Sequence, residues 1–169
     1  KGSEKHIFAP ISGPFGTRAK LAQTIIPVLE KLETKSIISL GEPGKKIAKK
    51  VGNCEIHTWL SQEERREYMR NAKLIVFSGG HTTCFETIKH TKPSICIPTQ
   101  PEQKGNARKM QELKCSITVE NEEQLRLAIQ EIKERKKFYK SNTEVLNAFS
   151  NKFRGLDQAV AVIEDAGKI

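Results

Sequence analysis

The residues best suited to chemistry lie together in Leu74–Glu86, LIVFSGGHTTCFE. There an apolar run leads into two glycines, a group of hydroxyl side chains and then a single carboxylate. This order predicts a buried strand, a tight glycine turn and the first turns of a helix. Backbone N–H groups at such a helix start, together with the positive end of the helix dipole, attract an anion. The segment therefore indicates a site for a phosphorylated sugar or a nucleotide diphosphate.

The candidates for binding the diphosphate are of two kinds: glycines, whose backbone N–H groups are accessible, and residues with a hydroxyl donor. Gly79 and Gly80 lack the Cβ atoms that would keep an oxyanion away from the backbone. The hydroxyl donors are Ser78, Thr82 and Thr83. The alternative is an ordinary strand-to-helix turn with a threonine cap.

Glu86 and His81 complete the segment, and each has two interpretations. Glu86 can accept hydrogen bonds from two ribose hydroxyls, or Thr83-x-x-Glu86 can be a capping box that only closes the helix start. His81 can orient a phosphate or act as a general base near neutral pH. We favour a turn residue packed beside the helix, so His81 is a weak catalytic candidate and the catalytic residue stays unassigned.

Two further loops carry candidate ligands. Ser12, Gly13 and Arg18 can contact the far side of a diphosphate, the arginine through charge-assisted bonds. Glu102 and Gln103 can bind the hydroxyls of a sugar. In the alternative interpretation, the arginine points to water and the loop residues are solvated.

Trp59, the only tryptophan, can flank a flat base, or it can be a half-buried packing residue. No Cys-x-x-Cys pair is present, so we expect no metal site. Cys84 and Cys96 lie in apolar stretches and are predicted to be small core residues. A reducing, intracellular setting is the simplest interpretation of this cysteine pattern.

The elements that must position these residues alternate regularly. Strand-like runs alternate with helical patterns six times, and a short basic helix is predicted at Lys45–Val51. This alternation predicts an α/β fold: a six-stranded doubly wound parallel sheet in three αβα layers, which is Rossmann-like. Ligands on such sheets bind beyond the carboxyl ends of the strands. The predicted strands are His6–Pro10, Ser36–Leu40, Glu55–Leu60, Leu74–Phe77, Ser94–Ile97 and Ser116–Val119.

Residues 1–137 are predicted to form this domain, and residues 138–169 a C-terminal helical tail. The chain is 37% apolar and 29% charged, which indicates a globular protein without a membrane span. Its net charge is +9, and Lys and Arg cluster at 45–50, 63–70 and 133–137. These runs fit solvated helix faces, or attraction to an anionic membrane surface or to nucleic acid. Only 6% of residues are aromatic and they do not interleave with the basic runs, so we expect no nucleic-acid partner.

The pattern from Trp59 to Asn106 resembles the nucleotide-sugar site of GT-B glycosyltransferases. The lipid II-forming GlcNAc transferase, its archaeal relatives and the UDP-glycosyltransferases are the nearest comparisons. Many relatives have His where Ser78 stands, and some have Asp-Gln at 102–103. The matching residues, in order, are Gly79–Gly80, Glu86, Lys92–Pro93, Pro98, Glu102–Gln103 and Asn106–Ala107.

This resemblance implies a role for each candidate. Glu86 would hold the ribose, and Gly79–Thr83 would hold the diphosphate with Ser12–Gly13 opposite. The backbone at Trp59–Leu60 would contact the base, and Glu102–Gln103 the hexose. The donor would be UDP-GlcNAc or another UDP-hexose, with no separate cofactor.

GT-B enzymes have two such domains, so the resemblance implies that this chain is one half. An N-terminal acceptor domain or partner subunit would supply the catalytic base, and the chain alone would be inactive. The expected setting is cytoplasmic, at the inner membrane face, with a lipid-linked acceptor. The alternatives are half of a non-hydrolysing sugar-nucleotide epimerase, or a non-enzymatic basic module that binds nucleic acid.

Overall fold

The computed structural model describes residues 5–44, 46–153 and 155–167, leaving out the side chain of Leu156. Seven strands form one sheet, and helices cover both of its faces. The strands are β1 His6–Pro10, β2 Ser36–Ser39, β3 Ala48–Val51, β4 Cys54–His57, β5 Ala72–Phe77, β6 Ser94–Cys96 and β7 Ser116–Thr118. The helices are α1 Phe15–Leu29, α2 Gln62–Asn71, α3 His81–Lys89, α4 Pro101–Glu112, α5 Glu122–Glu134, α6 Lys136–Ser150 and α7 Gly155–Ala166.

The sheet order is β3-β4-β2-β1-β5-β6-β7, and every pairing except β3 with β4 is parallel. The chain runs from β1 outward to β2, then returns to β5 and runs outward to β6. The strand order therefore reverses between β1 and β5, which is the switch point of a doubly wound sheet. This confirms the predicted α/β, Rossmann-like architecture and all six predicted strands.

The seventh strand corrects the sequence-based prediction at one place. Lys45–Val51 was predicted to be a helix, but Ala48–Val51 pairs antiparallel with Cys54–His57 at the sheet edge. Gly52 and Asn53 form the two-residue turn between the strands, and Gly52 has φ of +53°. Gly-Asn is a strong hairpin signal because both positions tolerate positive φ. The tight turn therefore outweighs the helix propensity of the lysines and alanine.

Two cores pack the layers together. On one face, buried side chains of α1 and α5 cover the sheet, including Leu21, Ile25, Leu125 and Ile132. On the other face, Met69 of α2, Cys84 of α3 and Ala107 and Met110 of α4 cover Phe8 and Phe77. This arrangement leaves the carboxyl edge of the sheet to be lined by loops and helix starts.

The last two helices differ in their burial. α6 buries Tyr139 and Thr143, and Leu146 packs against the second core. α7 instead exposes Val160, Val162 and Ile163. None of the described helices is long and apolar enough to cross a membrane.

Candidate functional site

Three helices begin at the carboxyl edge of the sheet without a side-chain cap. They are α1, α3 and α4, which follow the adjacent strands β1, β5 and β6. The first helical bonds run from Arg18 to Pro14, from Cys84 to Gly80 and from Lys104 to Gln100. The N–H groups before each of these bonds have no partner within their own helix. Three positive helix ends therefore meet at the switch point, where they favour an anion.

The turn between β5 and α3 requires a glycine at its first position. Gly79 has φ of +85°, and a Cβ there would lie 3.0 Å from the backbone oxygen of Gln103. Gly80 has φ of −63° and is the N-cap of α3. The carbonyl of Gly79 accepts a hydrogen bond from Asn106 Nδ2 at 3.0 Å. Because that carbonyl turns toward α4, the turn keeps its shape without a ligand.

Glu86 lies one and a half turns into α3 and is paired with Arg65 of α2. Arg65 Nη1 donates to Glu86 Oε1, and Arg65 Nη2 donates to Thr83 Oγ1 at 3.3 Å. The arginine and glutamate side chains are 29% and 25% exposed. The second carboxylate oxygen, Oε2, is buried and has no hydrogen-bond partner among the described residues. This carboxylate oxygen therefore keeps an unused acceptor position.

The capping-box interpretation of Thr83 and Glu86 is wrong. α3 begins at His81, two residues earlier than the threonine, and its N-cap is Gly80. Thr83 therefore lies inside the helix, and Glu86 is free of any role in closing the helix start.

Arg65 was not among the candidates drawn from the sequence. It lies in the basic run of α2, which resembles a solvated helix face. Only the packing of α2 beside α3 brings the guanidinium to Glu86. The sequence carries one signal for its position. The capping box at Ser61 fixes where α2 starts, and Arg65 stands four residues later, so the cap also fixes the helix face on which Arg65 lies.

The other residues of the glycine segment divide by exposure. Ser78 is only 2% exposed and lies beneath the turn. Thr82 and His81 are exposed at the start of α3. The His81 ring lies edge-on to Phe85 with ring centroids 4.7 Å apart, and His81 is the first residue of the helix and not a turn residue beside it.

The loop after β1 stands beside this turn. Ser12 and Gly13 are exposed, and Gly13 has φ of +116°. Arg18 donates through Nη1 to the carbonyl of Gly41, while its buried Nε has no partner among the described residues. The arginine therefore ties the start of α1 to the loop after β2 rather than pointing to water.

The loop after β6 is held by Gln103. This side chain is 6% exposed, and its Oε1 accepts from both N and Oγ1 of Thr99 at 2.9 Å. Glu102 is exposed and accepts from Asn106 Nδ2 at 2.8 Å. Asn106 therefore joins the loop to the carbonyl of Gly79. The structure places both residues that were predicted to bind the sugar beside the glycine turn. Gln103 is buried there, and Glu102 is exposed.

Trp59 and Leu60 follow β4, on the other side of the switch point. The tryptophan is 44% exposed and Leu60 is 5% exposed. Ser61 then starts α2 with the predicted capping box, in which the Ser61 N–H donates to Glu64 Oε2 at 2.8 Å. The exposed face of the indole is consistent with either stacking on a base or partial packing.

The chemical state of the buried thiols bears on the same region. Burial, with a smaller contribution from Glu102, raises the pKa of Cys84 to about 11. All four cysteines are buried and free, and Cys84 and Cys96 lie in the core as predicted. Among the described residues, no three His, Cys, Asp or Glu side chains converge as metal ligands would.

The sequence matches the model of the glycosyltransferase family 28 C-terminal domain over residues 18–160. The chain belongs to this family of C-terminal domains, and its fold is the α/β, Rossmann-like fold of one half of a GT-B structure. No curated protein sequence matches it.

Solved structures with the same fold are glycosyltransferases. The spinosyn forosaminyltransferase aligns over 98% of this chain and 44% of its own, with a TM-score of 0.77 and 11% identity. The kitacinnamycin glycosyltransferase aligns over 98% of this chain and 46% of its own, with a TM-score of 0.75 and 17% identity. The glycosyltransferase SsfS6 of Streptomyces sp. SF2575, in complex with thymidine diphosphate, aligns over 98% of this chain and 42% of its own, with a TM-score of 0.71 and 16% identity. The chain therefore spans less than half the length of these structures.

Proposed function

We propose that this chain is the donor-binding half of a glycosyltransferase that uses a nucleotide diphosphate sugar. The observation that carries the proposal is the convergence of three uncapped helix starts after β1, β5 and β6. A diphosphate carries two to three negative charges, and backbone N–H groups with aligned helix dipoles can hold it without a metal. Membership of the family supports the same function.

The side chains around the turn then take distinct roles. Gly79–Thr83 holds the diphosphate, with Ser12 and Gly13 on its far side. Glu86 binds ribose hydroxyls, for which its unpaired Oε2 is the acceptor. The backbone at Trp59–Leu60 contacts the base, and Glu102 with Gln103 contacts the hexose.

The reaction is displacement at the anomeric carbon of the donor. An acceptor oxygen forms the new bond to that carbon, while the bond to the diphosphate oxygen breaks and its electron pair leaves with the nucleotide. The acceptor proton passes to a base on the other half of the enzyme. This chain contributes by stabilising the charge that develops on the leaving diphosphate.

The acceptor and the catalytic base belong, in this proposal, to a second domain or partner subunit. The chain covers 46% or less of the related structures cited above, which leaves room for such a half. The apolar side chains that α7 exposes are suited to pack against it. The isolated chain is therefore expected to bind the donor without transferring sugar.

The donor is proposed to be UDP-GlcNAc or another UDP-hexose. One solved structure with this fold holds thymidine diphosphate, so thymidine donors are the comparison to make. A cytoplasmic enzyme of the lipid II-forming branch, drawn to the inner membrane face by its charge of +9, is the finer prediction.

The test is a thermal-shift panel of uridine, thymidine, adenosine and guanosine diphosphates and their glucose esters. A ligand at 100 times its Kd adds about 2.7 kcal/mol, which corresponds to a rise of about 5–11 °C in Tm for a domain of this size. We expect one nucleotide to stand out. Equal stabilisation by heparin and DNA that disappears at about 200 mM salt would contradict the proposal and favour a basic nucleic-acid module.

A further inference from the structure

A cavity lies at the carboxyl edge of the sheet, next to the loops that follow β6 and β7. Its volume is about 830 Å³, and it is lined by α1, α4 and the ends of β6 and β7. None of the residues assigned above to the base, ribose or diphosphate lines it. A cavity of this size is large enough for a small ligand or a substituent of a larger one.

Basic side chains outnumber acidic ones in the lining of this cavity. Lys20 of α1 and Lys104 and Arg108 of α4 line it, against a single acidic residue, Glu120. Within the described ranges, Lys20 and Lys104 enter no ion pair, and Arg108 reaches only Glu112 at 3.8 Å from a side chain that is 82% exposed. Three cations from two helices line one space, so the potential there favours an anion.

An unused polar group of the wall favours the same kind of ligand. Thr118 lines the cavity, and its Oγ1 is buried without a partner among the described residues. A hydroxyl donates a hydrogen bond, so the wall offers a donor as well as positive charge.

The lining relates this cavity to the sugar end of the proposed donor. Glu102 and Gln103, the residues proposed to contact the hexose, follow β6. The loops that follow β6 and β7 line the cavity together with α1. Thr99 forms part of its wall and bonds to Gln103 Oε1. Through Thr99 the cavity adjoins a residue that is proposed to contact the sugar, whereas Trp59 does not line it.

We propose that this cavity receives a carboxylate of the transferred sugar, so that, among the UDP-hexoses of the proposed function, the donor is a UDP-hexuronic acid and not UDP-GlcNAc. Lys20, Lys104 and Arg108 are then the residues that select a uronate over a neutral hexose. This inference rests on the proposed function, since it assigns the sugar to the same donor site.

The experiment compares UDP-glucuronate with UDP-glucose and UDP by calorimetry on the full chain at 0.1 M salt. The variant is Lys20→Met, Lys104→Met and Arg108→Met together. The control is Arg126→Met, Lys137→Met and Lys152→Met, which removes the same charge from exposed positions elsewhere. We expect wild type and control to bind UDP-glucuronate at least about 10-fold more tightly than UDP-glucose. The reason is that UDP-glucose has no carboxylate to accept charge-assisted hydrogen bonds from the cavity. In the variant the ratio should fall to about 1, while the affinity for UDP stays equal to that of the charge-matched control.

The outcomes separate the two proposals. If UDP binds but wild type holds both sugars equally, or the variant keeps the preference, the uronate inference is wrong and the donor site stands. If no nucleotide binds or raises Tm, both proposals fail. The test can be repeated without the nucleoside, by comparing the NMR shift perturbations that glucuronate 1-phosphate and glucose 1-phosphate cause. Inorganic phosphate that binds the cavity without any uronate preference would place an acceptor phosphate there and overturn the uronate assignment.

Discussion

Glu86→Gln tests the donor site at its most specific contact. The change keeps the shape of the side chain and removes the charge that pairs with Arg65 and would accept ribose hydroxyls. Charged hydrogen bonds contribute about 1.5–3 kcal/mol each. Loss of one ribose bond of this strength corresponds to about 10- to 150-fold weaker binding of a nucleotide diphosphate. The fold should survive, because both side chains are about a quarter exposed and glutamine keeps the size of the side chain.

The stability cost of the same change follows from that exposure. Exposed ion pairs contribute about 0.2–1 kcal/mol, and loss of one partner from a fully buried pair costs about 3–5 kcal/mol. A pair between these limits predicts a loss of about 1–2 kcal/mol in the free energy of unfolding. A double-mutant cycle with Arg65→Met should return a coupling energy of that size, because the two residues contact each other.

Calorimetry with UDP and TDP and urea unfolding together decide the result. Glu67→Gln and Arg66→Met are the controls, since both change exposed charges on α2 away from the pair. If Glu86→Gln loses stability and keeps its nucleotide affinity within about two-fold, Glu86 is only a structural partner of Arg65. The ribose assignment would then be wrong.

Three further predictions concern the turn, the helix start and the thiols. Gly79→Ala should lose about 2 kcal/mol or more in urea unfolding, because φ is +85° and the new Cβ meets Gln103 O at 3.0 Å. Gly80→Ala has room for its Cβ and should lose less, about 1 kcal/mol, because alanine is a poorer N-cap than glycine. Lys46 and the Ser61 cap hold the pKa of Glu64 at about 2, so its stabilisation is complete above about pH 4.5 and is lost as pH falls toward 2. An acid titration of the urea midpoint should show a shallower fall for Glu64→Gln, and an identical fall would contradict this. Burial raises the pKa of all four thiols, so a disulfide reagent should label none in the native protein at pH 8 and four in denaturant.

Local patterns were enough to predict most of the fold. Each predicted parallel strand is a short apolar run bounded by Gly, Pro or polar residues, and these signals lie within a few residues of each other. The β3 edge strand was predicted wrongly because its exposed lysines resemble a helix face. Its true signal is the Gly52–Asn53 turn, which acts through pairing with the next strand.

The site was predictable as a set of loops but not as a set of contacts. The spacing around Gly79 and Gly80 located the turn, because φ requirements are local. The pairing of Arg65 with Glu86 depends on how two helices pack, which no periodicity records. The burial of Gln103 likewise depends on Thr99 and the path of the loop after β6.

The link from Asn106 to the carbonyl of Gly79 has a kinetic consequence. Ordering a flexible loop costs about 1–2 kcal/mol per residue, and a loop that closes only around its ligand slows association. Here the shape of the turn is set by α4 before any nucleotide arrives. Encounter, and not loop rearrangement, should therefore limit the association rate, and electrostatic steering by a chain of net charge +9 should make that rate fall as salt is added.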